Sequence, residues 1–494
     1  MHVGLIAAEA VPFVKVGGLA DVAGTLPREL AQLGAQVTLV LPAYRRIERQ
    51  RWELRAEPPR AGQTVLVGAR QEAWTLEIGQ LPDSDVRVLF VGGRYFDRDG
   101  VYTDAQTGRD FEDQAERWVF FARAALAALA HQGHAVDLLH CNDHHTALVI
   151  PYAQALDADH PCARAATFFS IHNLGYQGVF RAHAFRATGL PDSFMAPMGA
   201  LEFWGGMNLM KAGLVLADLL GTVSPTYAQE IQTSEEFGHG LQGVLRARAQ
   251  DLVGILNGID VRVWSPRHDR WIAARYDARD LRGKATCKRA LLERLGLPYD
   301  PARPVFGCIA RLTAQKGIDL LLGAIPVLIE SGSQLVILGS GSPELERTLH
   351  AWSRRFPRQI SVTSAFDEPL AHAIEAGSDF YLMPSRYEPC GLNQMYSLVY
   401  GTIPVVRRTG GLADTVRDWD GRRGEGCGFV FGSTSVDALV EAMRRALIAF
   451  RDPTTHRTLI QNGMALDFSW ERSARRYLEA YARAQERRDA RRRG

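Results

Sequence analysis

The chain lacks the marks of several common classes of protein. Its six cysteines are scattered and form no Cys-x-x-Cys pair, so neither a zinc knuckle nor a redox dithiol is indicated. Single cysteines of this kind fit a reducing compartment, and we predict a cytoplasmic protein. No apolar run approaches the roughly 18 residues of a membrane helix, and the first residues lack the basic leader of a signal peptide. We therefore expect no membrane partner.

An excess of charge of either sign is also missing. Lysine and arginine together number 57 and aspartate and glutamate 55, which leaves a formal net charge of +2. This balance gives no support for a nucleic-acid partner. Hydrophobic residues make up 46% of the chain and charged residues 23%, as in ordinary globular proteins, and 494 residues suffice for two or more domains.

The two common nucleotide-binding fingerprints are absent as well. Residues 339–342 read Gly-Ser-Gly-Ser after a predicted strand. They lack both the Lys-Ser/Thr ending of a P-loop and the Gly-x-Gly-x-x-Gly spacing of a dinucleotide site. Gly17 and Gly18 fail the same two templates. A P-loop ATPase and a nucleotide-dependent dehydrogenase are therefore disfavoured.

One short phrase is present twice. Residues 15–22 read Lys-Val-Gly-Gly-Leu-Ala-Asp-Val, and residues 408–415 read Arg-Thr-Gly-Gly-Leu-Ala-Asp-Thr. A glycine pair lets the backbone approach a ligand closely, and the helix that follows offers its first N–H groups to an anion. Either copy alone would be explained by a chance turn in a chain rich in Leu, Ala and Gly. The pairing favours two α/β domains with a phosphorylated ligand held between them.

Predicted strands and helices alternate in two series. In the first, a buried strand at 3–8 leads through the Gly-Gly turn into a helix that ends near Gly34, and a second strand follows at 37–41. A similar series begins near Val305. This alternation predicts an α/β fold of parallel, doubly wound sheets. The predicted domains are residues 1–260, residues 261–468, and a C-terminal helix, 469–494, that folds back on the first domain.

A basic pair follows the first strand of the second series. Arg311 and Lys316 come directly after that strand and before Gly317 and a predicted helix. Arginine can bind phosphate oxygens in a bidentate way and lysine acts as a point charge, so the pair suits a diphosphate. Two unrelated surface cations in a loop are the alternative.

An acidic residue lies in a turn after a later strand of the same series. Residues 384–392 read Pro-Ser-Arg-Tyr-Glu-Pro-Cys-Gly-Leu, and Glu388 precedes the second proline. A carboxylate at such a strand end can stabilise developing positive charge or bind sugar hydroxyls. A partner for the dipole of the next helix is the alternative.

Residues 140–145, His-Cys-Asn-Asp-His-His, look like a metal-binding run. Zinc must be considered for three histidines and an aspartate. The run starts at a predicted strand end, however, where alternation splays side chains apart, and no second ligand cluster supports it. We predict no metal. His172 also follows a predicted strand, which favours a ligand cleft over the place of an ordinary loop histidine.

Together these motifs resemble the bacterial glycogen synthase and plant starch synthase family of retaining glycosyltransferases. The resemblance covers nearly the whole chain. It extends over residues 15–21, 139–143, 171–178, 224–227, 256–260, 311–317, 384–394 and 405–414. One departure is His144, which stands where the family usually has a tryptophan on the acceptor side. The acceptor preference of this chain is therefore left open.

The resemblance implies the GT-B architecture, in which two Rossmann-like domains face each other across a deep cleft. It implies transfer of glucose from ADP-glucose to the non-reducing end of an α-1,4-glucan such as glycogen, with retention of configuration. It implies no cofactor, because ADP-glucose is a substrate. The alternative donor UDP-glucose, and the choice between a monomer and a homo-oligomer, stay open.

The resemblance also implies roles for individual residues. The residues implied in catalysis are Asp143, His172, Arg311, Lys316 and Glu388. The residues implied in donor binding are Lys15, Gly17, Gly18, Asp21, Asn173, Asn257, Phe366, Tyr387, Cys390, Gly391, Thr409, Gly410 and Gly411. Within these sets, Arg311 and Lys316 would hold the diphosphate, and Phe366 would lie against the nucleobase.

Two rival functions remain at this point. A glucan phosphorylase or a sucrose- or trehalose-type synthase would share the architecture, but no lysine stands out as the anchor that a phosphorylase needs for pyridoxal phosphate. A non-catalytic glucan-binding protein would need none of the phosphate-facing Arg, Lys and Gly-Gly elements, and the intact set disfavours it.

Overall fold

The computed structural model describes residues 1–60 and 62–493; Ala61 and Gly494, which the predicted domains include, lie outside the described residues. Contacts between residues divide the chain into two units. The N-terminal unit consists of Met1–Val223, Ala228–Gly258 and the chain from Trp470 onward. The C-terminal unit consists of Ile259–Ser469 together with Ser224–Tyr227.

The N-terminal unit is built on a nine-stranded sheet in the order β14-β13-β9-β8-β1-β2-β7-β6-β3. Its strands, including those of two small additional sheets, are β1 (His2–Ile6), β2 (Gln36–Pro42), β3 (Arg55–Ala56), β4 (Thr64–Val67), β5 (Arg70–Ala73), β6 (Thr75–Gln80), β7 (Arg87–Gly92), β8 (Leu138–Asn142), β9 (Ala166–Ile171), β10 (Val179–Arg181), β11 (Glu202–Phe203), β12 (Gly206–Asn208), β13 (Leu219–Thr222) and β14 (Leu252–Gly254). Strands β4 and β5 form a hairpin, and β10, β12 and β11 form a separate three-stranded sheet.

The predicted parallel sheet forms most of this unit, but two strands at one edge run antiparallel to their neighbours. From β14 to β7 every neighbouring pair is parallel, but β6 runs antiparallel to β7 and β3 antiparallel to β6. Only a short turn joins β6 to β7, and a parallel pair would need a long crossover. Strand β6 is half-exposed and no helix follows it, so its sequence has neither the continuous apolar run nor the strand–helix alternation that indicated the other strands.

The C-terminal unit contains a six-stranded sheet in the order β17-β16-β15-β18-β19-β20, and all its neighbouring pairs are parallel. These strands are β15 (Val305–Ile309), β16 (Gln334–Leu338), β17 (Ile360–Thr363), β18 (Phe380–Met383), β19 (Ile403–Arg407) and β20 (Phe429–Phe431). Here the prediction of a doubly wound parallel sheet is confirmed.

Helices cover the sheets of both units. In chain order they are α1 (Gly18–Gln32), α2 (Gln114–His131), α3 (Val149–Gln154), α4 (Leu209–Leu216), α5 (Pro225–Glu230), α6 (Glu235–Gly238), α7 (Gln242–Ala247), α8 (Arg282–Arg294), α9 (Ile318–Glu330), α10 (Pro343–Arg355), α11 (Glu368–Gly377), α12 (Asn393–Val399), α13 (Gly410–Thr415), α14 (Val436–Arg451), α15 (Pro453–Met464) and α16 (Trp470–Arg493). None of those in the described ranges combines the length and apolar composition that a membrane crossing requires.

The last helix, α16, packs within the N-terminal unit. Its Tyr481 hydroxyl hydrogen-bonds His140 Nδ1 at 2.8 Å, and the Ser473 hydroxyl donates to the Leu256 carbonyl at 2.6 Å. His140 is fully buried and also hydrogen-bonds Ser170 through Nε2 at 2.7 Å. His140 is therefore a core residue that ties α16 to the sheet.

In the main sheet of each unit, the strands that follow the first strand are added first on one side of it and later on the other. In the N-terminal unit, β2 follows on one side of β1 and β8 on the other; in the C-terminal unit, β16 and β18 flank β15 in the same way. Ligands of doubly wound sheets bind at the carboxyl ends of the strands at such a reversal. The loops after β1, β8, β15 and β18 are therefore where a site is expected in each unit.

Candidate active site

The loop after β1 is organised by a buried glutamate that the sequence did not single out. Glu9 is 2% exposed, and its Oε2 accepts hydrogen bonds from the backbone N–H groups of Val16 and Gly17, the latter at 3.0 Å. Burial raises the pKa of Glu9, while these two N–H groups act in the opposite direction. The carboxylate thus shapes the turn from which α1 starts at Gly18.

The predicted donor-binding residues of this loop lie at the start of α1. Gly17 is the residue before the helix, and Gly18 is exposed with no atom within 4 Å of the position of a Cβ. Lys15 Nζ lies 2.7 Å from Asp21 Oδ1, and the Lys15 side chain is 44% exposed. The first N–H groups of a helix have no partner within the helix, so this open end can accept an anion.

The loop after β8 holds Asp143 in a strained conformation. Asp143 has φ of 56° and ψ of −177°, a region occupied almost only by glycine, at a cost of about 1–3 kcal/mol. Its carboxylate accepts from the backbone N–H of His172 at 2.8 Å and from that of Asn173. Burial raises the pKa of Asp143 to about 7. These bonds join the loop after β8 to the loop after β9.

His172 is brought to the same place. Its Nε2 lies 2.8 Å from the side-chain oxygen of Asn142, the last residue of β8. Burial lowers the pKa of His172 to about 4, so the ring is neutral near neutral pH. A neutral imidazole offers one hydrogen-bond donor and one acceptor rather than a charge. Asn142, like Glu9, is a residue that the sequence did not single out.

The other histidines of the 140–145 run point to different neighbours. His144 Nδ1 hydrogen-bonds the Tyr176 carbonyl at 3.0 Å, and its ring packs on Gly178. The His145 ring stacks on Tyr102 with centroids 4.8 Å apart. No group of three or more His, Cys, Asp or Glu side chains in the described ranges could hold a metal ion. His144 therefore supports the loop that follows His172.

In the C-terminal unit, two predicted catalytic residues form an ion pair. Lys316 Nζ, after β15, lies 2.6 Å from Glu388 Oε2, after β18. Glu388 is 5% exposed and also accepts a hydrogen bond from the Ser385 hydroxyl at 3.0 Å. The two strands are neighbours at the reversal point, which explains how residues 72 positions apart meet. Arg311 is exposed directly beyond the end of β15.

The backbone around this ion pair is closely packed. A Cβ at Gly317 would lie 2.0 Å from the Pro384 carbonyl oxygen, and one at Gly410 would lie 2.0 Å from that of Glu388. Gly411 N–H donates to the Glu388 carbonyl at 3.1 Å. The loops after β15, β18 and β19 therefore form one layer, in which glycine is required because no side chain would fit.

The remaining predicted donor-binding residues fall into two groups. Cys390 and Thr409 are buried, Tyr387 and Gly391 are partly exposed, and all four lie in the packed loops or at the start of α13. Phe366, in the loop between β17 and α11, is 85% exposed. Asn257 is buried in the N-terminal unit beside Gly258, which packs on Trp470, and it takes no part in the contacts described above.

A contact that the sequence did not predict involves the second Gly-Gly phrase. The Asp414 carboxylate accepts hydrogen bonds from the Ser224 hydroxyl at 2.5 Å and from the Thr226 hydroxyl at 2.6 Å. This contact explains why Ser224–Tyr227 belongs to the C-terminal unit although its neighbours in sequence do not.

Comparison with known proteins identifies the family. The model of the starch synthase catalytic domain matches residues 2–247, and that of glycosyl transferases group 1 matches residues 296–464. The glycogen synthase of Anaeromyxobacter sp. (strain Fw109-5) is 48% identical, with 97% of this chain and 99% of the relative covered. That of Thermotoga maritima is 43% identical, with 98% and 99% covered. The chain belongs to the glycogen synthase and starch synthase family.

Solved structures agree with the membership in this family. The catalytic domain of starch synthase IV from Arabidopsis thaliana, bound to ADP and acarbose, matches with a TM-score of 0.90 and 34% identity, covering 98% of this chain and 99% of that one. Sucrose-phosphate synthase from Thermosynechococcus elongatus, at 18% identity and a TM-score of 0.60, shares the fold alone. The predicted family and the GT-B class are confirmed, and this glycogen synthase family member is a hexosyltransferase.

Proposed function

We propose that the chain transfers glucose from ADP-glucose to the non-reducing end of an α-1,4-glucan such as glycogen, with retention of configuration. The observation that carries this proposal is the ion pair of Lys316 with the buried Glu388 at the strand reversal of the C-terminal unit, in the loop that also holds Arg311. The glycogen synthases among its relatives align over nearly their full length, and the starch synthase IV structure holds ADP and acarbose.

Arg311 and Lys316 are proposed to bind the diphosphate of the donor. Lys316 is already positioned by Glu388, so its ammonium group needs little reordering when an anion arrives. Arg311 adds a second permanent positive charge at the start of the same loop, directly beyond the end of β15, where its fork can bind two phosphate oxygens. Both charges stabilise the diphosphate as it leaves, which lowers the barrier of the transfer step.

Glu388 is proposed to hold Lys316 and to bind hydroxyl groups of the transferred glucose. The bond between the sugar C1 and the diphosphate oxygen breaks, and the acceptor hydroxyl attacks from the same face. The leaving diphosphate oxygen takes the proton of that hydroxyl. Because the acceptor attacks the face from which the diphosphate departs, the new glycosidic bond retains the α configuration. No carboxylate nucleophile and no cofactor enter this scheme. Because cations already neutralise the leaving group, we propose that no metal is needed.

In the N-terminal unit, His172 and Asp143 are proposed to bind sugar hydroxyls. His172 can do so as a neutral ring, and Asp143 is held by two backbone N–H groups in a conformation that glycine would adopt more easily. Lys15 and the open start of α1 at Gly18 are proposed to bind phosphate oxygens. The exposed ring of Phe366 is proposed to stack on the nucleobase.

The test measures the release of ADP from ADP-glucose in the presence of glycogen. Release should depend on glycogen, should persist after exhaustive chelation, and should fall on the order of a hundredfold in Arg311→Ala and Lys316→Ala at saturating donor. Arg386→Ala serves as a matched control, because Arg386 pairs with Asp319 at the surface. Near wild-type turnover in both Arg311→Ala and Lys316→Ala would refute the proposed diphosphate site. Loss of activity together with stoichiometric zinc would refute metal independence.

The reaction is proposed to take place in the cytoplasm, where glucan is stored as glycogen. All six cysteines are free and buried, which suits a reducing compartment.

A further inference from the structure

The side chain of Asn142 has only one orientation that satisfies its neighbours. Asn142 is 1% exposed at the end of β8, and its Nδ2 lies 3.0 Å from the carbonyl oxygen of Ile6 and 3.4 Å from that of His140. A carbonyl oxygen can only accept a hydrogen bond, so the amide nitrogen must face these two groups. The amide oxygen is thereby directed away from β1 and toward His172.

This orientation determines which nitrogen of His172 carries the hydrogen. Asn142 Oδ1 lies 2.8 Å from His172 Nε2, and an amide oxygen can only accept. Nε2 must therefore be the donor. Burial lowers the pKa of His172 to about 4, so near neutral pH the ring carries one hydrogen and Nδ1 retains its lone pair.

His144, two residues after Asn142 in the chain, provides an internal contrast to His172. Its Nδ1 lies 3.0 Å from the carbonyl oxygen of Tyr176, so here Nδ1 must donate. Burial lowers the pKa of His144 to about 4 as well. The two histidines are therefore both neutral but of opposite tautomer, and the difference arises from the acceptor that each one meets.

We propose that Asn142 is a positioning residue that holds His172 in the Nε2–H tautomer, so that His172 Nδ1 accepts a hydrogen bond from a hydroxyl group of the bound sugar. This inference rests on the proposed glucosyl transfer, and it adds the direction of the hydrogen bond and the residue that sets it. Without Asn142 the ring could take either tautomer, and the one with hydrogen on Nδ1 would present a donor where an acceptor is needed.

The first test is spectroscopic and needs no activity. In the full chain with ¹⁵N-labelled histidine near neutral pH, His172 should show a protonated Nε2 and an unprotonated Nδ1, and His144 the reverse. The His172→Gln and His144→Gln variants assign the signals. In Asn142→Ala the His172 signals should move toward a mixture of tautomers while those of His144 stay unchanged. A wild-type His172 with its hydrogen on Nδ1 would overturn the proposal, whatever the variants do.

The second test asks whether Asn142 acts through His172. Asn142→Ala should lower kcat/KM for ADP-glucose on the order of tenfold in the wild-type background and cause no further loss in His172→Ala. Thr146→Ala is the control, because the Thr146 hydroxyl donates to the Asn142 main-chain carbonyl at 3.0 Å; it should leave the His172 signals unchanged.

Two outcomes of the second test count against the inference. Equal losses from Asn142→Ala in both backgrounds would show a purely structural role and overturn it. If the wild-type chain released no ADP from ADP-glucose, the proposed function and the sugar contact would both fail, whereas the tautomer of His172 would still be decided by the spectrum.

Discussion

The two Gly-Gly phrases, one in each unit, have nearly the same sequence and different surroundings. In the N-terminal copy, Gly18 is exposed and a Cβ there would meet no atom within 4 Å. In the C-terminal copy, a Cβ at Gly411 would lie 1.9 Å from the Cys390 carbonyl oxygen, and Gly410 has φ of 43°. The first pair leaves space beside the backbone, and the second is required by packing.

The support of the two turns differs in the same way. A buried side chain, Glu9, accepts the N–H groups of the first turn, whereas main-chain carbonyls of Glu388 and Pro389 accept the N–H of Gly411. The aspartates in the two phrases also differ, because Asp21 pairs with exposed Lys15 and Asp414 binds Ser224 and Thr226. A repeated phrase therefore predicts a repeated local turn. Whether its glycines leave room for a ligand or are required by packing is determined by residues that are distant in the sequence.

The largest effect on stability is expected from Gly411→Ala. The added Cβ overlaps the Cys390 carbonyl, so the free energy of unfolding should fall by about 3 kcal/mol or more, as measured by denaturant unfolding. Gly18→Ala makes the same chemical change in the other copy and should alter it by less than about 0.5 kcal/mol. Equal losses in the two variants would remove the distinction between the copies.

A smaller loss is expected from Glu9→Ala. The N–H groups of Val16 and Gly17 lose their acceptor, and a hydrogen bond to a charged group contributes about 1.5–3 kcal/mol. Chemical denaturation should therefore show a loss of about 2 kcal/mol together with a higher KM for ADP-glucose. Unchanged stability and KM would mean that the first turn forms without this carboxylate.

Gly18→Ala should weaken the binding of ADP-glucose and leave the stability of the fold unchanged. If the phosphates of the donor approach the backbone at Gly18, an added methyl group should raise the KM for ADP-glucose on the order of tenfold while the melting temperature stays the same. Steady-state kinetics with glycogen in excess measures this change. A KM equal to that of the wild type would show that nothing approaches the open face of this turn.

The pH dependence of stability should report Glu9. Because burial raises its pKa, the folded chain holds this proton more tightly than the unfolded chain. The stability linked to Glu9 is therefore complete at acid pH, below the ordinary range of a carboxyl, and is lost as pH rises through the raised pKa. Glu9→Gln cannot titrate, so the stability of wild type relative to this variant should decrease as the pH rises above the ordinary range of a carboxyl, about pH 4. A difference that increases with pH would contradict the shift.

The smallest effect on stability is expected from Lys15→Ala. An exposed ion pair such as Lys15 with Asp21 contributes about 0–1 kcal/mol, so thermal unfolding should hardly change. Donor use should nevertheless weaken, because the lysine is proposed to bind phosphate. Asp21→Asn, which keeps the lysine, is the comparison; a large loss of stability in Lys15→Ala would point to a structural role.

The sequence could predict features that depend on residues close to one another in the chain. Buried strands followed by Gly-Gly turns, by Arg311 and Lys316, or by Glu388 were recognisable because each motif directly follows an apolar run. The pairing of Lys316 with Glu388 was not, since it depends on β15 and β18 being neighbours in the sheet.

Glu9 and Asn142 could not be identified as site residues from the sequence, and the physical reason is the same for both. Glu9 is a single acid in an apolar stretch, and Asn142 is an ordinary amide at a strand end; their importance comes from backbone groups that only the folded chain brings near them. A buried acid between a central strand and a Gly-Gly turn is the one signal that could have pointed to Glu9. The backbone strain at Asp143 has no signature in sequence at all.

The most direct test of the account offers the chain ADP-glucose and UDP-glucose in equal amounts, each with a different isotope in the glucose, and glycogen as acceptor. We expect glycogen to acquire the label of ADP-glucose. We also expect β-amylase, which cuts α-1,4 chains from their non-reducing ends, to release that label as maltose. Label in glycogen that β-amylase cannot release, or no label in glycogen at all, would contradict the proposed transfer; label chiefly from UDP-glucose would contradict the proposed donor.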